Sequence, residues 1–355
     1  MRIQLVDPSA FTPPYDRALA AALARAGAEV ELVTSRFAYG PVPQAEGYAV
    51  TELFYRRSAG RPRAMKLVEH VPDMLRLRRH VRGADVVHYQ WLAVQQLDTL
   101  LLPPRRPRLL TAHDVLPREP RPGQRAATRR LLRSMDAVVA HSEHGAARLR
   151  DELGVDAARV HVIPHGSFDY LTRLPEERPL PDELAAVERH VVLFFGLLRP
   201  YKGLDVLLDA WRSVEVDAEL WIVGMPRMDL AALRAAADAR VRFVPRFVSD
   251  PEIPAYFRRA DVVVLPYRET EASGVLYTAL AFGKAMVMSD VGGFSEVGAG
   301  RLVPPSDAGA LSAALTEVLT TESERRQLGE GASAAAVSWD DVAARTIDLY
   351  RSLVT

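Results

Sequence analysis

HVVLFFGLLRPYKGLDVLLDA, residues 190–210, carries the strand, loop and helix start on which the architecture turns. An apolar run of β type, Val191 to Phe195, stops at Gly196; a short loop carries Arg199 and Lys202; Leu204, Leu207 and Leu208 then open a helix. In a strand, basic loop and helix start of this kind, free N–H groups and the positive end of a helix dipole face an anion, here with two cations beside them. Only three lysines occur in the chain, Lys66, Lys202 and Lys284, and every other basic residue is arginine. A lysine in this loop therefore points to a need for a compact point charge. The plain alternative is a solvated charge at a helix start.

On either side of this stretch, short β-type runs alternate with helical patterns along the whole chain. Ile3 to Val6, Val30 to Thr34, Asp85 to Tyr89, Leu109 to His113, Ala137 to His141 and Val160 to Ile163 read as one set of strands, with Tyr15 to Ala26 as the first crossover helix. Val191 to Phe195, Glu219 to Val223, Val241 to Val244, Val262 to Leu265, Ala285 to Ser289 and Arg301 to Val303 read as a second set. This βαβ rhythm predicts two doubly wound α/β domains with parallel sheets. The expected divisions are 1–170 for the first domain, 171–189 for a linker rich in Pro and Glu, 190–335 for the second domain and 336–355 for a C-terminal helix. Ser338 reads as the N-cap of that helix and Val342, Thr346, Leu349 and Tyr350 as its buried stripe. Residues 64–82 read as one helix on the sheet with its arginines in solvent; the competing use is rest on an anionic membrane surface.

At 355 residues the chain exceeds what one core usually serves, and 48% apolar with 25% charged residues is an ordinary globular composition. With no cysteine, a disulfide framework, a thiolate metal site and a cysteine nucleophile are all excluded. MRIQLVDPSA lacks the long apolar core of a signal peptide and no run approaches a membrane span, so the expected location is cytoplasmic. The net charge of zero hides an imbalance: residues 1–150 hold 24 Lys and Arg against 14 Asp and Glu, a net of +10, and the rest carries −10. A basic half suits anionic partners, but nucleic acid is not expected, because no recognition helix or aromatic platform accompanies the arginines.

A second loop resembles the first in kind. DVVVLPYRETEASGVLYTALAFGKAMVMSDVGGFSE, residues 261–296, runs from a buried-type strand through a polar loop to Ser273-Gly274, which opens an apolar helix. Glycine there lets backbone approach a ligand, and the N–H groups of Gly274 and Val275 would face an anion. Glu296 reads as the cap of a following helix.

Together these segments resemble the retaining GT-B glycosyltransferases of family GT4. FFGLLRPYKGLD, ELWIVG, VRFVPRFVSDPEIPAYFRRADVVVLPY, SGVLYTALAFGKAMVMSDVGGFSE and SWDDVAARTIDLYRSL carry the likeness, joined in the first half by TAHD, AHSEHGAARL and VIPHGSFD. The resemblance implies two Rossmann-like domains facing across a cleft, the C-terminal helix returning to the first. It also implies transfer of a sugar, with retention, from a nucleotide-diphosphate donor to a small-molecule, glycan or lipid-linked acceptor. By resemblance Arg199 and Lys202 bind the diphosphate with Ser273, Gly274 and Val275, Arg246, Phe247 and Val248 lie along the base, and His113 lies beside the transferred sugar.

The family often carries two glutamates eight positions apart at positions that here are Thr270 and Thr278. Glu271 remains to reach sugar hydroxyls, and Thr278 offers the ribose one weaker hydroxyl. The loop DPSAFTPPYDR lacks the paired glycines common in the family, and no D-x-D occurs, so cations of the chain are expected to replace a metal and no cofactor is required. Acceptor choice is expected in the loops 10–15, 37–44, 90–96 and 116–125. Two other readings stay open: a catalytically weak nucleotide-sugar or glycan binding protein of this fold, and a nucleotide-sugar isomerase.

Overall fold

The computed structural model describes residues 1–40, 42–58, 63–92, 94–103, 107–116 and 122–354. Three of the loops expected to choose the acceptor, 37–44, 90–96 and 116–125, lie partly outside the described residues. The chain divides into two units, Met1–Gly166 with Val337–Thr355, and Ser167–Ala336. The segment expected as a linker belongs with the second unit, where it forms a 3-10 stretch, Asp169–Arg173, and one helical turn, Asp182–Ala185.

The first unit holds seven parallel strands, β1 (Arg2–Asp7), β2 (Glu29–Ser35), β3 (Ala49–Phe54), β4 (Val86–Tyr89), β5 (Arg108–Thr111), β6 (Ala137–Ala140) and β7 (Val160–Val162), in the order β3-β2-β1-β4-β5-β6-β7. Sequence reading missed β3. It is an edge strand, half exposed, with Val50 in solvent, so it lacks the apolar run that marks its neighbours. The second unit holds six, β8 (His190–Phe195), β9 (Ala218–Val223), β10 (Val241–Val244), β11 (Val262–Leu265), β12 (Ala285–Ser289) and β13 (Arg301–Val303), in the order β10-β9-β8-β11-β12-β13. All its pairs are parallel, and β8, β9, β11 and β12 are buried along nearly their whole length, as strands covered on both faces must be.

In each unit the strand order reverses once, between β1 and β4 and between β8 and β11. A doubly wound sheet opens a crevice outside the carboxyl ends of the strands at that point. The two loops singled out from the sequence follow β8 and β11, so both leave the second sheet at its reversal.

The helix Arg63–His80 runs through Pro72 without a break and buries His70, Asp73, Met74 and Leu77 while Leu67, Val68 and Leu75 face solvent. The C-terminal helix, Trp339–Val354, belongs to the first unit. Ser338 caps it, its Oγ accepting from Asp341 N at 3.1 Å, and Val342, Thr346, Leu349 and Tyr350 are buried as the stripe predicts. No helix follows Gly292-Gly293 for Glu296 to cap: there the chain makes only a 3-10 turn, Ser295–Val297, because Gly298 turns it out through a positive φ. Among the described residues no helix is long and apolar enough to cross a membrane.

Candidate active site

Three elements of the second unit converge on one point. After β8, Gly196 takes φ +103, and a Cβ on it would lie 3.1 Å from the Lys202 ammonium and 3.0 Å from Val275 Cγ2. The end of the strand, the basic loop and the first turn of the helix Gly274–Ala281 therefore meet around the Lys202 ammonium. Lys202 ends a 3-10 turn, Pro200–Lys202, and is only 6% exposed, its charge 4.9 Å from the centre of the Tyr267 ring. The Tyr267 hydroxyl is 3.3 Å from Ser273 Oγ, so Lys202, Tyr267 and Ser273 form one contiguous wall. Ser273 occupies the N-cap position of its helix without spending its hydroxyl on a cap bond. Arg199 sits at the start of the 3-10 turn, and its Nε is buried with no hydrogen-bond partner among the described residues.

Two features that sequence reading did not use hold the loops together. Gly203 has φ +68, and a Cβ there would stand 2.0 Å from Pro266 O, so only glycine lets the two loops approach. Arg268 donates its backbone N–H to Tyr201 O at 2.8 Å, and its guanidinium to Pro200 O at 2.8 Å and Asp205 Oδ2 at 2.5 Å. One arginine on the second loop thus braces the first. Its signal in the sequence was weak, since it is one arginine among many.

The residues expected along the base divide. Phe247 is 36% exposed beyond the carboxyl end of β10, whereas Val248 is buried. The Arg246 guanidinium is held by Glu252 at 2.7 Å, which raises its pKa, and donates to Phe247 O at 3.0 Å. Thr278 is buried and its hydroxyl donates to Gly274 O at 2.8 Å, leaving only lone pairs for a ligand. Thr270 likewise donates to Ala272 O at 2.9 Å. Glu271 lies between Thr270 and the Ser273 helix, with its Oε2 buried.

His113 belongs to the first unit and does not stand alone there. Gln90, His113, His141 and His165 leave the carboxyl ends of β4, β5, β6 and β7 in turn, four neighbouring strands. Ring centres of His113 and His141 are 5.2 Å apart and those of His141 and His165 5.1 Å apart, close to the spacing of the strands that carry them. Tyr15 meets all three edge-on or tilted at 4.6 to 5.4 Å, and Trp91 stacks on His113 at 5.3 Å. Burial, and then the neighbouring histidines, hold the His113 pKa well below the usual range; burial alone lowers His141 to about 4. The row is neutral at pH 7. The sequence marks His113 by its motif; that His141 and His165 stand beside it follows only from the strand order.

Comparison with known proteins identifies the family and the fold. Residues 17–167 match the family described as Glycosyltransferase Family 4, and residues 189–321 match Glycosyl transferases group 1. The D-inositol 3-phosphate glycosyltransferase of Xylanimonas cellulosilytica is 28% identical over 380 residues, spanning 95% of this chain and 90% of that one. The fold matches the sucrose-phosphate synthase of Thermosynechococcus elongatus with a TM-score of 0.78 at 22% identity, over 99% of each chain. It also matches Anabaena Alr3699/HepE, solved in complex with UDP-glucose, with a TM-score of 0.78 at 20% identity, over 99% of this chain and all of that one.

Proposed function

The chain belongs to the family 4, group 1 glycosyltransferases, and from that premise we propose that it moves a hexosyl group from a nucleoside-diphosphate sugar to a hydroxyl acceptor, with retention and without a bound metal. One observation carries the donor side: the Lys202 ammonium, the glycine end of β8 and the first turn of the helix Gly274–Ala281 meet at one point, at the reversal of the second sheet. Departure of a diphosphate from an anomeric carbon builds negative charge on the leaving group and oxocarbenium character on the sugar. Lys202, Arg199 and the N–H groups at Gly274 and Val275 supply fixed positive charge for that group. They are held in place beforehand, so they need not reorganise as the charge develops. Phe247 stacks on the base, Arg246 and Val248 form the ledge beside it, and Ser273 donates to a phosphate oxygen. Thr278 accepts a hydrogen bond from the ribose, Glu271 accepts from hydroxyls of the transferred sugar, and His113 contacts the same sugar.

Retention follows from attack on the face the leaving group vacates, with a donor phosphate oxygen taking the acceptor proton. The pairing of Thr270 and Thr278 with their own backbone favours this route, because neither position offers a carboxylate nucleophile. The acceptor is a small molecule, a glycan or a lipid-linked hydroxyl. Turnover with a panel of nucleotide sugars tests the reading, with the anomeric configuration of the product followed by NMR. Lys202→Ala is expected to lower kcat by about 10²–10³-fold with the fold kept. Full activity in that variant removes Lys202 from the mechanism, and an inverted product removes the retaining route.

A further inference from the structure

Proton bookkeeping in the row of histidines says more about His113 than its position does. A backbone carbonyl only accepts, so the 3.0 Å contact between His141 Nδ1 and Ile163 O requires a proton on that nitrogen. A neutral His141 then has a bare Nε2. This nitrogen lies 3.4 Å from His113 Nδ1, and the contact is a hydrogen bond only if His113 carries its own proton on Nδ1. A neutral His113 is then bare at Nε2. Across 3.1 Å from that nitrogen stands the side-chain oxygen of Gln90, also an acceptor, while the Gln90 amide nitrogen is buried with no partner among the described residues. Half a turn of the Gln90 amide cures both faults at once: the amide nitrogen finds an acceptor and the bare Nε2 finds a donor.

The opposite assignment is worse on the same count. With the proton of His113 on Nε2, donated to Gln90, two bare nitrogens face each other at 3.4 Å between His113 and His141, and the Gln90 amide nitrogen stays orphaned. The groups packed around the pair are Tyr15 from the helix Pro13–Arg25, Trp91, His165 and, farther off, His88.

We propose that His141 holds His113 as its Nδ1–H tautomer, so that His113 Nε2 presents a lone pair to a hydroxyl of the transferred sugar, with His141 and Gln90 as positioning residues. The inference rests on the role of His113 proposed above. On binding, the sugar hydroxyl takes the place of the Gln90 amide as donor, and Gln90 holds the ring until then. His113 thereby selects a sugar with a hydroxyl at that position, because an analogue lacking it leaves Nε2 without a donor.

The test is long-range ¹H–¹⁵N NMR on the full-length protein carrying ¹⁵N-histidine, at pH 7, with His113 assigned by its loss in His113→Gln. The expected spectrum shows His113 protonated on Nδ1. In His141→Leu, which removes the acceptor, the proton is expected to move to Nε2 and turnover to fall by at least about tenfold, with nucleoside-diphosphate binding unchanged. In His141→Gln the amide oxygen accepts from His113 and the amide nitrogen serves Ile163 O, so the Nδ1–H form and most of the turnover return. Wild-type His113 protonated on Nε2, or a tautomer indifferent to His141→Leu, overturns the proposal. The wild-type and His141→Gln spectra decide it if the leucine variant does not fold. The tautomer is read without substrate, so an absence of sugar transfer overturns the proposed function and leaves this result standing.

Discussion

His88 and His141 show how a single buried imidazole sets a pH limit on this protein. Burial lowers His88 to about 3 and His141 to about 4, from an ordinary value of 6.5. Each is neutral in the folded chain and takes a proton in the unfolded chain once the pH drops below 6.5. Their contribution is complete above that value and is lost as the pH falls toward about 4 for His141 and about 3 for His88. Each histidine steepens the loss by up to about 1.4 kcal/mol per pH unit. Urea midpoints measured from pH 7 down to pH 4 are expected to fall, and His88→Gln is expected to flatten the slope by the share of one group. An unaltered slope in that variant shows that His88 does not titrate between the two states.

At the scale of elements, a few side chains decide how loops and helices meet. Asp98 Oδ1 pairs with His70 Nε2 at 2.6 Å and His70 Nδ1 with the Tyr55 hydroxyl at 2.8 Å, both buried, and Asp98 Oδ2 accepts from Val94 N at 2.8 Å. This network ties the helix Arg63–His80 to the helix Gln95–Leu101 and to the end of β3. Asp98→Ala strands several polar groups at once and is expected to cost about 3–5 kcal/mol, read from chemical denaturation. Gly203→Ala is expected to cost about 1–2 kcal/mol from the left-handed backbone alone. A Cβ 2.0 Å from Pro266 O must also push the two loops apart, so calorimetry should show weaker nucleoside-diphosphate binding in the same variant. Binding at full strength would mean that the joint between the loops is dispensable.

At the scale of the whole molecule, the chain leaves its first unit at Gly166 and re-enters it at Val337. The returning helix completes that unit: the Tyr350 hydroxyl bonds His88 Nδ1 at 2.6 Å, Trp339 packs against Gly166 and Tyr15, and Arg25 pairs with Asp340 at 2.6 Å. Removal of residues 337–355 is therefore expected to raise hydrogen exchange in β4 to β7 far more than in β8 to β12. Equal effects in both sheets would show that the helix does not serve the first unit in particular. A nucleoside diphosphate, bound by the second unit, is expected to stabilise it by about 2.7 kcal/mol at a hundredfold excess over Kd, and by much less in Lys202→Ala.

The class of fold, the strands of both sheets except β3 and the positions of the two loops after β8 and β11 were legible in the amino-acid sequence. These are local properties: β8 and β11 are apolar runs ended by turn residues, and the helices open on Gly203 and Ser273. The C-terminal helix was legible there as well, from the Ser338 cap and its buried stripe. Only the tertiary structure decided who stands beside whom. Gln90, His113, His141 and His165 are scattered over 76 positions and become a row because β4, β5, β6 and β7 are neighbours in the sheet. Arg268 braces the Lys202 loop because β8 and β11 pair across the reversal of strand order. β3 escaped notice because an edge strand need not be apolar. Periodicity records which face of an element is buried; the partners it meets there are set by strand order, which no short stretch of sequence contains.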